Sequence, residues 1–366
     1  MTWNSVLRNM NISKKKGRRL LPAIAIVWTL CVAVLAGGCV VKPKSDSPAG
    51  QGEDFAEEQA HSGGKLRVVT TIFPPYDFVR EIAGEHVEVQ MLLKPGEESH
   101  SYEPTPQDII AIQESDLFIY TGGENDVWVE DILSSMPEES CRTLRLMDCV
   151  DTVEEEHVEG MKESPGHTHD EDEEAEEGED AHSVHEIDEH VWTSPVNAVL
   201  IVEEIKDLLV TADPKNSELY EQNAEAYEEE LESLDREFRE VVANADSSLL
   251  IFGDRFPFRY LADEYGLDYY AAFPGCAGDT EPSAATMVFL INKVKEAQVP
   301  CVLKMELSNA DIADAIAEAT GTKVKVLYSC HNLSAQDFEN GETYLSMMSK
   351  NVETLKEVLT DGTDQM

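Results

Sequence analysis

Residues 213–242 read DPKNSELYEQNAEAYEEELESLDREFREVV. Within them Tyr220, Ala224, Tyr227, Leu231, Leu234, Phe238 and Val242 recur at steps of three or four, which lays one apolar stripe along a single helix. A helix of about 30 residues is roughly 45 Å long at ~1.5 Å per residue, about the span of a whole small protein. Such an element serves as a spine between two bodies. Before the Asp213-Pro214 break, Ala198, Val202, Ile205 and Leu209 give the same period to a helix opened by Pro195.

Outward from the spine, both flanks alternate β-branched runs with helical spacing. On the amino-terminal side a strand over 66–73, closed by Pro74-Pro75, leads to a helix over 77–83. Strands at 87–93, 117–120 and 142–147 follow, with helices at 105–114 and 128–134 between them. On the carboxyl-terminal side strands at 249–252, 301–305 and 324–328 alternate with helices at 258–265, 287–297 and 311–319, and a helix over 344–359 closes the chain. This order predicts an α/β fold: two lobes, each with a mostly parallel sheet flanked by helices, joined by one long spine helix. The lobes cover about 65–195 and 246–366, with a helical linker over 196–245. A chain of 366 residues accommodates both. Ligands of such sheets lie beyond the carboxyl ends of the strands, which here means the cleft between the lobes.

The charge balance is lopsided, with 28 Lys+Arg against 73 Asp+Glu and a formal net charge of -45. A phosphate backbone is repelled by such a chain, so nucleic acid is excluded as a partner, and cations are attracted. The amino terminus is the exception. Lys14, Lys15, Lys16, Arg18 and Arg19 precede an apolar run from Leu20 to Leu35 that ends in Ala36-Gly37-Gly38-Cys39. This order predicts an export signal over 1–38. Cys39 after Leu-Ala-Gly-Gly resembles the bacterial lipobox, in which the cysteine is lipidated and anchors the protein to the cell membrane. The alternative is an uncleaved anchor, although about 16 apolar residues fall short of the roughly 20 that a spanning helix prefers. Either reading places the body of the protein outside the cytoplasm. Residues 39–64, rich in Ser, Gly, Pro and Glu, read as a solvated tether.

Between 154 and 189 the chain becomes a run of acids interleaved with His157, His167, His169, His182 and His185. No core can be built from that composition, so it is expected to be a mobile loop, and its imidazoles could collect metal weakly. Two further histidines stand in better-defined surroundings. His100 lies in His-Ser-Tyr-Glu-Pro-Thr-Pro-Gln-Asp (100–108), a proline-bracketed loop before a helix. His190 lies in Asp-Glu-His-Val-Trp-Thr-Ser-Pro (188–195), where nearby carboxylates can orient the ring. On residue chemistry alone either could be an ordinary loop histidine.

The segments 100–108 and 188–195 are similar to the two signature segments of the ZnuA-like zinc and manganese solute-binding lipoproteins of ABC importers. The resemblance runs from about Leu66 to Leu359 and includes Tyr220-Glu221-Gln222-Asn223-Ala224 and Gly341-Glu342-Thr343-Tyr344. It implies two α/β lobes bridged by a long helix, with His100 and His190 as metal ligands in the cleft. It also implies that the partners are an integral-membrane permease and a separate ATPase, and that Zn2+ or Mn2+ is the transported ligand. The histidine-bearing acidic loop favours zinc, since imidazole suits that ion while a carboxylate-rich set suits the harder one.

The second lobe departs from the family. Arg255 stands where relatives carry a ligand, and a guanidinium cannot ligate. Asp254 is a substitute if the loop is shifted. After the strand at 324–328, Ser329-Cys330-His331-Asn332 offers His331 as the third ligand. Five cysteines remain once Cys31 and Cys39 are assigned to the signal and the anchor. Cys276 with Cys330 is expected to form a disulfide or, alternatively, to supply a thiolate to zinc, with Cys330 the nearer candidate. Cys141 with Cys149 could close a small loop, and Cys301 reads as a buried apolar residue. No nucleophile elbow, phosphate-binding loop or metalloprotease histidine spacing occurs. A manganese receptor, a surface adhesin lipoprotein and a zinc hydrolase are the rival readings.

Overall fold

The computed structural model describes residues 64–137, 141–161, 186–277 and 281–360, all within one compact unit, His61–Met366. The export signal, Cys39, nearly all of the tether and His167, His169, His182 and His185 lie outside the described residues.

The first lobe contains β1 (Leu66–Thr70), α1 (Phe73–Ala83), β2 (Val87–Met91), α2 (Pro106–Gln113), β3 (Leu117–Tyr120), α3 (Val127–Ser135) and β4 (Arg142–Arg145). Its four strands form one parallel sheet in the order β2-β1-β3-β4, with Val68 opposite Val89 on one side and Leu117 on the other. Because helices cover both faces, the central strands bury consecutive residues rather than alternate ones, Val68 to Thr70 in β1 and Leu117 to Ile119 in β3. One face buries Val69, Phe118, Ile112, Val129 and Ile132 beneath α2 and α3. The other packs Val68 and Ile119 against Phe78, Val79 and Ile82 of α1.

The linker is α4 (Pro195–Ala212), capped by the Ser194 side chain, followed by the spine α5 (Ser217–Ala243). Tyr220, Ala224, Tyr227, Leu231, Leu234 and Phe238 are all buried, as the apolar stripe requires. The second lobe then runs β5 (Leu249–Ile251), β6 (Arg255–Phe256), α6 (Arg259–Tyr265), β7 (Asp268–Tyr270), β8 (Phe273–Pro274), α7 (Ala284–Ala297), β9 (Cys301–Met305), α8 (Asp311–Thr320), β10 (Lys323–Leu327), α9 (Ala335–Asn340) and α10 (Tyr344–Leu359). All its pairings are parallel: β10 with β9, β5 with β7, and β6 with β8, while β9 joins β5 through one bridge, Phe252 to Leu303.

The lobes share a core. One continuous apolar cluster runs from Val68 and Phe78 through Trp192 and the spine to Tyr344, Leu355 and Leu359. Polar contacts fix the seam. The Tyr344 hydroxyl donates to the Trp192 carbonyl at 2.6 Å, and the Trp192 indole donates to the Ser329 carbonyl at 2.8 Å. The Tyr344 amide, at the start of α10, donates to the Asp77 carboxylate on α1 at 2.7 Å.

Several expectations are corrected. Pro74 and Pro75 do not close a strand; they sit in the first turn of α1, where a missing amide hydrogen costs nothing. The short β6, β7, β8 and α9 carry too few residues to show a period. The acidic segment is not loose along its whole length. Its two limbs meet in an antiparallel bridge at Glu154 and Ile187, with Glu155 N donating to Glu186 O and Asp188 N to Val153 O. The first limb lies on the second lobe, where Gly160, at φ +91°, leaves no room for a Cβ beside Phe289. Neither expected disulfide forms: Cys141, Cys149, Cys276, Cys301 and Cys330 are all free thiols.

Asp77 supplies a test of the seam. It is fully buried, and that burial, which outweighs its bond from the Tyr344 amide, raises its carboxyl pKa to about 7. The folded protein therefore holds a proton that the unfolded chain releases near its ordinary value of 3.8, and stability falls as pH rises from about 4 to about 7. Asp77→Asn keeps an acceptor for Tyr344 without the charge. Its unfolding free energy relative to the parent is expected to improve by at most a few kcal/mol between pH 5 and 8, read from urea unfolding at each pH. A pH-independent difference would refute the assignment.

Candidate metal centre

Two histidines of the first lobe are held by the same local device. Glu98, two residues before His100, accepts from the His100 amide at 3.4 Å and lies 2.9 Å from its ring Nδ1. Asp188, two residues before His190, accepts from the His190 amide at 2.8 Å and lies 3.0 Å from its Nδ1. In each case the carboxylate claims Nδ1–H and so turns the Nε2 lone pair away from itself. The flanking chain is fixed as well. Thr105 and Asp108 form a capping box at the start of α2, and the Thr193 hydroxyl donates to the His190 carbonyl at 2.9 Å.

His331 comes from the loop after β10. Its amide donates to the Ser329 hydroxyl at 3.3 Å, and Ser329 in turn donates through its amide and hydroxyl to the buried Glu306 carboxylate at 2.7 and 2.8 Å. The His331 carbonyl receives the Phe73 amide at 3.2 Å, and Asn332 donates to the carbonyls of Lys94 and Glu97 at 2.8 and 2.9 Å, so this loop is stitched to the first lobe. Ser99 Oγ lies 3.2 Å from Nδ1 of both His100 and His331.

The three rings converge. Their centroids are 5.7 Å apart for His100 and His190, 5.2 Å for His100 and His331, and 5.4 Å for His190 and His331. One ring nitrogen from each lies within 4.8 Å of the others. The Nε2 atoms of His100 and His190 are buried without a hydrogen-bond partner in the protein. Leaving two such acceptors unpaired is costly unless something binds them. Trp192 walls the cluster, edge to face with His331 at 4.9 Å.

Charge divides the site into two sides. On one, Arg255 donates to Glu98 at 2.9 Å and to the Ala277 carbonyl at 3.1 Å, bridging the lobes. Burial would raise the Glu98 carboxyl, but the His100 hydrogen bond and the Arg255 charge overcome it and hold Glu98 down at about 2. Burial, with Arg255 and His190 adding to it against the Glu98 bond, lowers His100 to about 4. Burial and the neighbouring rings and Arg255 push His331 well below the usual imidazole value. On the other side, burial would lower His190, yet Asp188, Glu189 and Glu155 together raise it. The unbound cluster thus keeps His100 and His331 neutral, the form that ligates.

Two residues weighed as ligands lie elsewhere. The Asp254 carboxylate is consumed by the amides of Arg255 and Met305 and the hydroxyl of Ser308. Cys330, at φ +59°, buries its thiol toward the Tyr328 carbonyl. Sequence reasoning did not single out Glu98, Ser99 or Glu306, although the acid-x-His spacing shared by Glu98 and Asp188 was a readable signal. His157 is half-exposed and 4.0 Å from Glu155.

Two α/β lobes on a helical spine, with converging imidazoles at their seam, define the class of two-lobed solute-binding proteins. The chain belongs to the ZnuA family, described as zinc-uptake complex component A, periplasmic, whose profile matches residues 68–358. It is 34% identical over 300 residues to the high-affinity zinc uptake system protein ZnuA of Bacillus subtilis, covering 81% of this chain and 88% of that one. It is 33% identical over 302 residues to the zinc-binding lipoprotein AdcA of Streptococcus pneumoniae, covering 82% of this chain but only 57% of AdcA, so it spans little more than half of that relative. The crystal structure of the Zn(II)-bound ZnuA-like domain of the same AdcA superposes with a TM-score of 0.65 at 31% identity, over 81% of this chain and all of that domain.

Gly275 tests how tightly the second lobe closes on His190. A Cβ there would lie 2.9 Å from the Phe256 carbonyl oxygen and 3.3 Å from His190 Cε1. Gly275→Ala must therefore displace backbone, and a loss of about 1–3 kcal/mol is expected in denaturant unfolding. An unchanged midpoint would show that the loop yields freely.

Proposed function

We propose that this chain is a zinc receptor that binds the ion with His100, His190 and His331 at the lobe seam and delivers it to an ABC-type importer. The observation that carries the reading is the pair of buried Nε2 atoms without partners, aimed at a point that a third imidazole also reaches. A set of three imidazoles suits zinc better than manganese, and zinc is the ion named for the relatives above. The carboxylates of Glu98 and Asp188 hold the ring tautomers and compensate the incoming charge. Trp192 limits water on one side. Arg255 holds Glu98 where a ligand from the second lobe would otherwise connect the halves.

Anchoring through a lipid on Cys39, a position outside the cytoplasmic membrane, and a permease served by a separate ATPase belong to the same proposal. So does weak collection of zinc by His157 with His167, His169, His182 and His185. The shared core predicts little lobe movement on binding, so release requires the partner to disturb the seam loops.

The test is calorimetric zinc titration in a chain lacking residues 162–185, which removes collecting histidines while sparing the packed limbs. His100→Ala is expected to weaken binding by at least about 100-fold, and Asp188→Asn by about 10–100-fold. Undiminished binding by the His100→Ala protein would end the proposal. Competition between Zn2+ and Mn2+ on the same protein decides the ion.

A further inference from the structure

Beside the three-imidazole cluster lies a second set of ligand atoms. Glu189, His190 and Cys276 each present one atom within 4.8 Å of the other two. Cys276 follows Gly275, whose lack of a side chain lets this loop run against the Cε1 edge of His190. The cysteine is held at both ends. Its amide donates to the Glu155 carboxylate at 3.0 Å, and burial together with the charges of Glu189, Asp188 and Glu155 keeps its sulfur a thiol, against the backbone contact from Glu189, so an arriving cation must displace the thiol proton. Glu189 is buried and anchored by Asn125, and Asp188 keeps one buried carboxylate oxygen, Oδ2, without a partner.

We infer that Glu189, His190 and Cys276 form a second, transient station for a soft divalent cation, adjoining the central cluster and feeding it through the shared imidazole. The Asp188 carboxylate occupies His190 Nδ1, so Nε2 is the nitrogen open to either set, and an ion held by one set excludes an ion held by the other. Transfer is then an exchange of ligands around one fixed imidazole, sulfur and carboxylate leaving as His100 and His331 arrive. The field favours arrival on this side: the carboxylates of Asp188, Glu189 and Glu155 surround His190, whereas the Arg255 guanidinium acts on His100 and His331. The station also reaches outward. Glu155, which caps the Cys276 amide, faces the half-exposed His157 at 4.0 Å, and the antiparallel bridge fixes both limbs of the acidic segment beside it. Binding is a simple displacement in which the metal replaces the thiol proton, which leaves to solvent. The inference rests on the receptor reading only for the direction of transfer.

Cobalt(II) serves as the probe, because a bound thiolate gives it a near-ultraviolet charge-transfer absorption that imidazole and carboxylate ligands do not. In the full chain carrying His100→Ala and His331→Ala, added Co2+ is expected to develop that absorption, and a further Cys276→Ser is expected to abolish it. Identical spectra with and without Cys276 would overturn the station. Should the double variant fail to fold, the single variant Cys276→Ser decides. Rapid-mixing zinc loading is expected to slow by about tenfold while equilibrium affinity changes by less than about threefold, since the central ligands are intact. Unchanged loading would overturn the inference. Tight zinc binding by the parent chain is measured separately, so loss of the receptor reading and loss of the station give different results.

Discussion

The seam depends on one constraint: Trp192 and Tyr344 must be buried together with their polar atoms satisfied. Trp192 spans from the end of the acidic segment to the loop carrying His331, and Tyr344 ties that arrangement to α1 through Asp77. These two large side chains fill the space where two independent lobes would otherwise leave a hinge. A buried indole or phenol without a partner costs a few kcal/mol. The three contacts therefore specify one relative position of the lobes, and the imidazoles converge because that position is specified.

Much of the fold was legible because its long elements carry enough residues to show a period. The spine stripe from Tyr220 to Phe238 and the apolar cores of β1, β3 and β9 follow from spacing and β-branching alone. The two-residue strands β6 and β8 were not legible, since no period exists over two residues. Pro74-Pro75 was read as an end when it is a beginning, because proline punctuates both and only the following turn distinguishes them. At the site, the local segments did not by themselves separate His100 and His190 from ordinary loop histidines; the family resemblance singled them out, and the structure brings their rings together with that of His331. Nor was the partner of Arg255 legible. Its contact with Glu98 joins residues far apart in sequence, and no local pattern encodes it. The expected Cys276–Cys330 pairing failed for the same reason: proximity to strand ends does not say which way a thiol turns.

Arg255 shows how a residue that cannot ligate can still organise the site. A fixed cation next to a divalent metal would be repulsive by itself. Here its charge is matched by Glu98, whose other oxygen holds His100, so an arginine of the second lobe fixes the orientation of an imidazole in the first. On the opposite flank the carboxylates of Asp188, Glu189 and Glu155 act on His190, and among the described residues no cation comparable to Arg255 acts on that imidazole, so an electrostatic gradient runs across the site.

The spine adds a consequence for how such a molecule is read by others. A helix of 27 residues packed on both halves ties them into one body, and on the receptor reading that leaves little change of silhouette with which to announce that an ion has arrived. Information about occupancy must be local, carried by how firmly the loops at residues 98–101, 275–277 and 329–332 hold still. A partner able to tell a loaded molecule from an unloaded one would then be sensing stiffness rather than outline.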